Sequence, residues 1–300
     1  MSTTTSTSPV RTGSAARLRV VLSIFKLRIA TLIMITALGG VAVANQGQAS
    51  LMQVLVLSLA VWAAAGAAGA INQFVEAESD RLMARTRGRA FASGALPRST
   101  AWLAVIVAIG VAAVAMAAWF VNGVAALFVG LGAVTYAGLY TLLLKRRTAW
   151  NIVIGGLSGS FAVLAGAAAV DPSIGARAWV LALVLFLWTP PHFWSLAIAG
   201  ADDYRAAGVP MLPVVLGPER SARIVHAGAL PLVVSSLLLL PLGSGWPVAL
   251  GAVGGGAYFL MKTRALARAP SRRTAMAAFF ASMVQLSALL AGVAVDAALR

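Results

Sequence analysis

Cysteine is absent from this 300-residue chain, which excludes disulfides, thiolate metal sites and a cysteine nucleophile. Charge is scarce as well: Asp, Glu, Lys and Arg make up 10% of the residues, and only eight side chains are acidic. A soluble domain of this length does not carry so little charge. Hydrophobic residues fill 60% of the chain, and the mean hydropathy is +0.91. That composition marks a multi-spanning membrane protein. Short alternating segments of the kind a membrane barrel needs are missing, and the long apolar runs predict an all-α integral membrane protein.

Nine apolar segments predict nine spans, at roughly 22–44, 51–74, 101–121, 124–144, 151–170, 178–200, 224–242, 246–262 and 276–298. Residues 1–20 are Ser/Thr-rich, free of acids and read as a disordered cytoplasmic tail; 21–300 read as one polytopic domain. The first apolar run has full spanning length, so no cleavable signal peptide is expected. The connections alternate in character. Those near 45–50, 122–123, 171–177 and 243–247 hold a single basic residue, Arg177. Apart from Arg177 and Arg300, the 23 Lys and Arg residues fall on the opposite face. The positive-inside rule makes that face cytoplasmic, with the N-terminus inside and the C-terminus outside. The net charge of +15 is then a topology signal, and no nucleic-acid partner is needed to explain it.

The stretch from Asn72 to Arg89 closes the second apolar run and holds three of the eight acidic residues. Asn72, Glu76 and Asp80 are spaced four apart, so on a helix they form one slowly drifting row, about 6 Å between neighbours. Glu78 falls off that row. An amide and two carboxylates are oxygen donors of the kind Mg²⁺ prefers. Arg81, Arg85, Arg87 and Arg89 follow, planar forks suited to phosphate. Metal ligands beside phosphate-binding cations describe a diphosphate site at a membrane surface, weighed against a solvated, charged helix end. A second acidic cluster, Asp202 and Asp203, follows the sixth run on the same face. Two such clusters facing one another would hold one or two Mg²⁺ ions and a diphosphate.

The sixth run ends with Trp188, Thr189, Pro190, Pro191, His192, Phe193 and Trp194. The paired prolines predict a kinked or opened helix whose freed backbone groups meet a cavity or ligand. His192 lies eleven residues before Asp203, about three helical turns, which lets both face one cavity. Two readings of His192 stand at this stage: a ligand-binding residue, or a hydrogen-bond partner between helices. His226 has no comparable setting and reads as a packing residue. Lys145, Arg146 and Arg147 mark the cytoplasmic edge of the next span, where Gly155, Gly156 and Gly159 permit close approach.

Together these strings resemble the membrane-embedded aromatic prenyltransferases, and among them the haem O synthases (protohaem IX farnesyltransferases). The likeness rests on Asn72-Gln73, Glu76, Asp80, Met83, Arg85-Thr86 and Arg89, on Tyr140-Thr141 and Lys145 to Thr148, and on Asn151 to Gly156. Thr189 to Trp194, Asp203-Tyr204 and Ala207 to Pro213 complete it. It covers nearly everything after the tail. The resemblance implies a nine-helix bundle around a central cavity open to the cytoplasm. It implies transfer of a farnesyl group from farnesyl diphosphate to a vinyl carbon of protohaem IX (haem b), giving haem O and diphosphate for haem-copper oxidases. In that setting Asn72, Glu76 and Asp80, with Asp202 or Asp203, hold Mg²⁺, Arg85, Arg89 and Lys145 grip the diphosphate, and His192 serves the haem. A multi-pass protein of the plasma or inner membrane follows, with haem A synthase or a terminal oxidase as a partner. The chain departs from the family pattern at Ala90, Ala162 and Ala167, which bear on pocket shape, and at Ala207, where a second Asp row would continue. A solute transporter is the rival class. It would scatter ionisable groups near the bilayer midplane, whereas here they gather at one face.

Overall fold

The computed structural model describes residues 14–44 and 49–300; expectations for residues 1–13 and 45–48 lie outside the described residues. Every regular element among the described residues is helical. Among the described residues six helices are long and apolar enough to cross a membrane, and a bent pair at the start, taken as one span, makes a seventh. Two further helical stretches fall short on composition or continuity. Leu212–Leu237 carries Glu219, Arg220 and Arg223 in its first half, and 246–268 is divided by a wider-wound π turn at Gly251–Gly255.

The helices differ from the sequence expectation where backbone chemistry intervenes. Residues 14–20, assigned to the tail by composition, belong to a helix, Ser14–Ile24. It joins Leu27–Val43 at a 49° bend. The bend is made by Lys26, which adopts left-handed angles (φ 48°, ψ 48°), a conformation that costs a non-glycine residue energy unless its surroundings hold it. The seventh span starts at Leu212 instead of 224 and contains one non-helical residue, Gly217 (φ 78°), where the absent Cβ permits the turn into Pro218. The Pro190-Pro191 pair does not open its helix: Ala176–Ala199 runs through both prolines. The prolines still remove the N–H donors that would meet the carbonyls of Phe186 and Leu187. Thr189 Oγ1 donates to the Leu185 carbonyl at 2.9 Å on the same stretch.

Small residues set the closest helix packing. Leu27–Val43 lies against Leu157–Val170 so tightly that a Cβ on Gly166 would collide with the Ala37 carbonyl, and one on Gly40 with that of Val163. Without a hydrophobic force between helices in lipid, such backbone approach supplies the dispersion contact that holds a bundle. Ala162 to Ala169 are buried with no exception, in the middle of the main apolar core. The long helix Leu51–Val75, capped by a Ser50–Gln53 capping box, continues after Glu76 as Ala77–Leu82, and that junction carries the site.

Candidate functional site

The predicted row forms. The Glu76 N–H donates to the Asn72 carbonyl (3.0 Å) and the Asp80 N–H to the Glu76 carbonyl (2.8 Å), so the helical path persists across the junction. Asn72, Glu76 and Asp80 are buried, Asp80 completely. Buried carboxylates demand partners, and each member of the row has its own cation. Lys26 Nζ donates to Asn72 Oδ1 at 2.5 Å. Lys145 Nζ lies 2.5 Å from Glu76 Oε1. Arg89 Nη1 donates to both Asp80 oxygens, at 2.9 and 2.7 Å. Glu78 is turned to the surface, where Arg81 and Arg98 pair with it.

Neighbouring spans hold the row in register. The Asn72 Nδ2 donates to Thr141 Oγ1 at 3.0 Å, and Thr141 donates to the Tyr136 carbonyl at 2.8 Å. These two residues sit on a π-helical stretch, Thr135–Leu144, whose wider turn sends the Lys145 N–H to the Tyr140 carbonyl (2.9 Å). Gln73 Nε2 donates to the carbonyls of Ser23 and Ile24, both at 3.0 Å. These are carbonyls of the last turn of the first helix, where helical partners run out; the Ser23 carbonyl also accepts from the Lys26 N–H at 3.4 Å, so Gln73 braces the bend that delivers Lys26.

The second acidic cluster divides. Asp203 meets the first loop, accepting from the Ala84 N–H at 3.3 Å. Beside it Tyr204 is buried among Met83, Val209 and Met211, and its hydroxyl lies 3.5 Å from Arg85 Nη2. Burial pushes the Tyr204 phenol up, against the opposing pull of Arg85. Asp202 does not join the site. Its side chain is 96% exposed and pairs with Arg205 one helical turn on. Arg85 and Arg87 are exposed at the rim.

Next to Lys26 an apolar cleft opens between four spans. Lys26, Gly69 and Tyr136 stand at its polar end, Ala64, Ala65, Ala68 and Gly132 line its sides, and Ile33, Val61, Phe128 and Ala162 lie deeper. From Gly69 to Val61 it follows the Asn72 helix for about 12 Å. Ala162, noted above as a departure from the family pattern, is part of this wall.

His192 sits elsewhere, on the side of the last helix, Arg272–Ala298. Its ring is stacked between Trp188 (centroids 4.0 Å apart) and Phe279 (4.6 Å), and Nδ1 lies 2.7 Å from Ser282 Oγ. His226 contacts Thr263.

The donor chemistry fits a hard divalent cation: one amide oxygen and three carboxylates, Glu76, Asp80 and Asp203. Glu76 Oε2 is buried and without a hydrogen-bond partner among the described residues, an acceptor suited to an ion. Among the described residues no three His, Asp or Glu side chains already stand as a metal cage; the row is held by internal cations. Sequence reasoning missed Lys26 and Tyr136, and named Thr141 and Gln73 only as parts of motifs, without a role. The one available signal was Lys26 itself, a charge placed inside the first apolar run.

A bundle with a cation-lined polar end above an apolar slot is the architecture of an intramembrane enzyme acting on a lipid-like anion. The chain belongs to the UbiA prenyltransferase family, whose family model matches residues 33–285. It is 51% identical over 282 residues to protoheme IX farnesyltransferase 2 of Paramagnetospirillum magneticum, covering 94% of this chain and 98% of that one. It is 42% identical to the protoheme IX farnesyltransferase of Gloeobacter violaceus, covering 90% and 89%. Among solved structures, one from a study of digeranylgeranylglyceryl phosphate synthase superposes with a TM-score of 0.76 at 18% identity, covering 94% and 98%. A UbiA homologue of Archaeoglobus fulgidus bound to DMAPP and Mg²⁺ gives 0.69 at 15%, covering 89% and 99%. At such identities these two speak for the fold alone.

Proposed function

We propose that this protein transfers the farnesyl group of farnesyl diphosphate to a vinyl carbon of protohaem IX, yielding haem O and diphosphate. The reading is carried by one juxtaposition: three cations, Lys26, Lys145 and Arg89, crowd the Asn72 row at the mouth of an apolar cleft. The high identity to protoheme IX farnesyltransferases supports the choice of haem as acceptor.

Asn72, Glu76, Asp80 and Asp203 are the residues to hold one or two Mg²⁺ ions. A metal held by them would supply positive charge for the diphosphate and so make it a better leaving group. Arg85, Arg89 and Lys145 grip the diphosphate, with Arg89 and Lys145 turning to it from the carboxylates they now hold. The cleft takes the farnesyl chain and keeps water from the allylic carbon while its bond to oxygen breaks. The vinyl group attacks that carbon, and water adds at the neighbouring position. His192 contacts the haem.

In this reading the chain crosses the membrane nine times, with the N-terminus cytoplasmic, the C-terminus outside and the mouth at the cytoplasmic face; the side on which the basic residues collect supports it. The test is product analysis: purified protein incubated with haem b, farnesyl diphosphate and Mg²⁺ is expected to yield haem O by mass spectrometry. Farnesylation of no haem carbon under these conditions would overturn the reading.

A further inference from the structure

Ser282 has no place in the sequence argument, yet it joins two helices at His192. It is fully buried on Arg272–Ala298. Its carbonyl accepts from Trp188 Nε1 at 2.8 Å, and its hydroxyl lies 2.7 Å from His192 Nδ1. The same hydroxyl donates to the Phe279 carbonyl at 2.6 Å. A serine hydroxyl has one proton. With that proton committed to the Phe279 carbonyl, Oγ can only accept from the imidazole, so the ring carries its hydrogen on Nδ1. Nε2 is left as a bare lone pair with no partner among the described residues.

Ring orientation is fixed as firmly. Trp188 stacks on one side at an interplanar angle of 18° and Phe279 on the other at 28°. A ring clamped on both faces and tied at Nδ1 presents one atom, and the ring is half-buried, so that atom is not sealed in the core. A neutral imidazole with its second nitrogen held by a hydrogen bond is the form in which histidine binds a transition metal. His226, the other histidine of the chain, contacts Thr263 but has no such aromatic clamp among the described residues.

We infer that Ser282 is a positioning residue that sets the tautomer and plane of His192 so that Nε2 ligates the iron of the porphyrin substrate. The inference rests on the haem-prenylating reading and deepens it. It assigns His192 to the iron, and leaves the porphyrin periphery free for alkylation.

Two measurements test it. In a His226→Gln background His192 is the single histidine, so ¹⁵N-histidine labelling of the detergent-solubilised protein reports its ring alone. Protonation at Nδ1 is expected; protonation at Nε2 would overturn the inference, since that nitrogen would be a donor. The second is titration with ferric haem b, followed by absorbance and EPR. A nitrogen-ligated signal is expected in the wild type, lost in His192→Ala and regained with free imidazole. Ser282→Ala is expected to bind haem about 10- to 100-fold more weakly, the usual cost of losing such a support, and Ser282→Thr to restore affinity. Nitrogen ligation that survives His192→Ala, or a Ser282→Ala protein with wild-type haem affinity and spectrum, overturns it. Turnover is scored separately. Haem O formation without ligation by His192 sinks this inference alone, whereas ligation by His192 without farnesylation supports it and removes the transferase reading.

Discussion

Lys145 places its Nζ 2.5 Å from Oε1 of Glu76, joining the start of a basic loop to the middle of the predicted ligand row 69 residues earlier. Both side chains are largely withdrawn from water, at 12% and 5% exposure. Each charge is the other's partner at 2.5 Å, and the pair must open for Lys145 to meet a diphosphate. Lys145→Met is therefore expected to destabilise the protein by about 3–5 kcal/mol, the usual cost of leaving a buried charge unpaired. Adding Glu76→Gln to it is expected to recover most of that loss in a detergent thermal melt while turnover stays abolished. A double variant no more stable than the single one would show that the two charges do not depend on each other.

The two acidic residues of the second cluster are expected to differ sharply. Asp202 is exposed and, among the described residues, pairs with Arg205 alone, so Asp202→Asn should change kcat/KM by less than about twofold, in keeping with the near-zero worth of surface ion pairs. Asp203 touches the first loop through Ala84. Asp203→Asn is expected to lower kcat/KM by at least about tenfold, a loss of about 1.4 kcal/mol in transition-state stabilisation. Equal effects of the two substitutions would remove Asp203 from the site.

Cleft shape gives a third expectation. Ala68 and Gly132 face the cleft with little or no side chain. Ala68→Leu fills space that the prenyl chain would occupy, and is expected to raise KM for farnesyl diphosphate several-fold with a smaller effect on a one-unit allylic diphosphate. Steady-state kinetics with both substrates decide it. An equal rise for both would place the chain elsewhere.

Gly166 tests the bundle itself. A methyl group there meets the Ala37 carbonyl, a rigid backbone atom, so the two helices must separate. Gly166→Ala is expected to cost about 1–3 kcal/mol by overpacking, read as a lowered melting temperature. Gly88, where an added Cβ meets nothing within 4 Å, serves as the neutral comparison.

Orientation is open to direct labelling because the chain has no cysteine of its own. A cysteine at position 300 is expected to react with an impermeant reagent in intact cells, and one at position 87 is not. The reverse pattern would invert the topology.

Much of this was legible in one dimension because the bilayer enforces it. A span has to be apolar for about 20 residues, and cations have to collect on one side, so helical class and the position of the charged loops follow from composition. The Asn72, Glu76 and Asp80 row was equally plain, since helical spacing alone brings such residues to one face. What the sequence did not determine is which cation meets which member of the row. Lys26, Lys145 and Arg89 reach it from three separate segments, one of them through a left-handed residue that no propensity foretells. Nor did it decide between Asp202 and Asp203, adjacent residues that a helix turns about 100° apart. The prolines before His192 predict a kinked or opened helix, yet the helix runs through them. Packing against neighbouring helices outweighed the lost hydrogen bonds, and the tautomer of His192 was left to Ser282, a serine 90 residues away that only the assembled bundle brings within 2.7 Å.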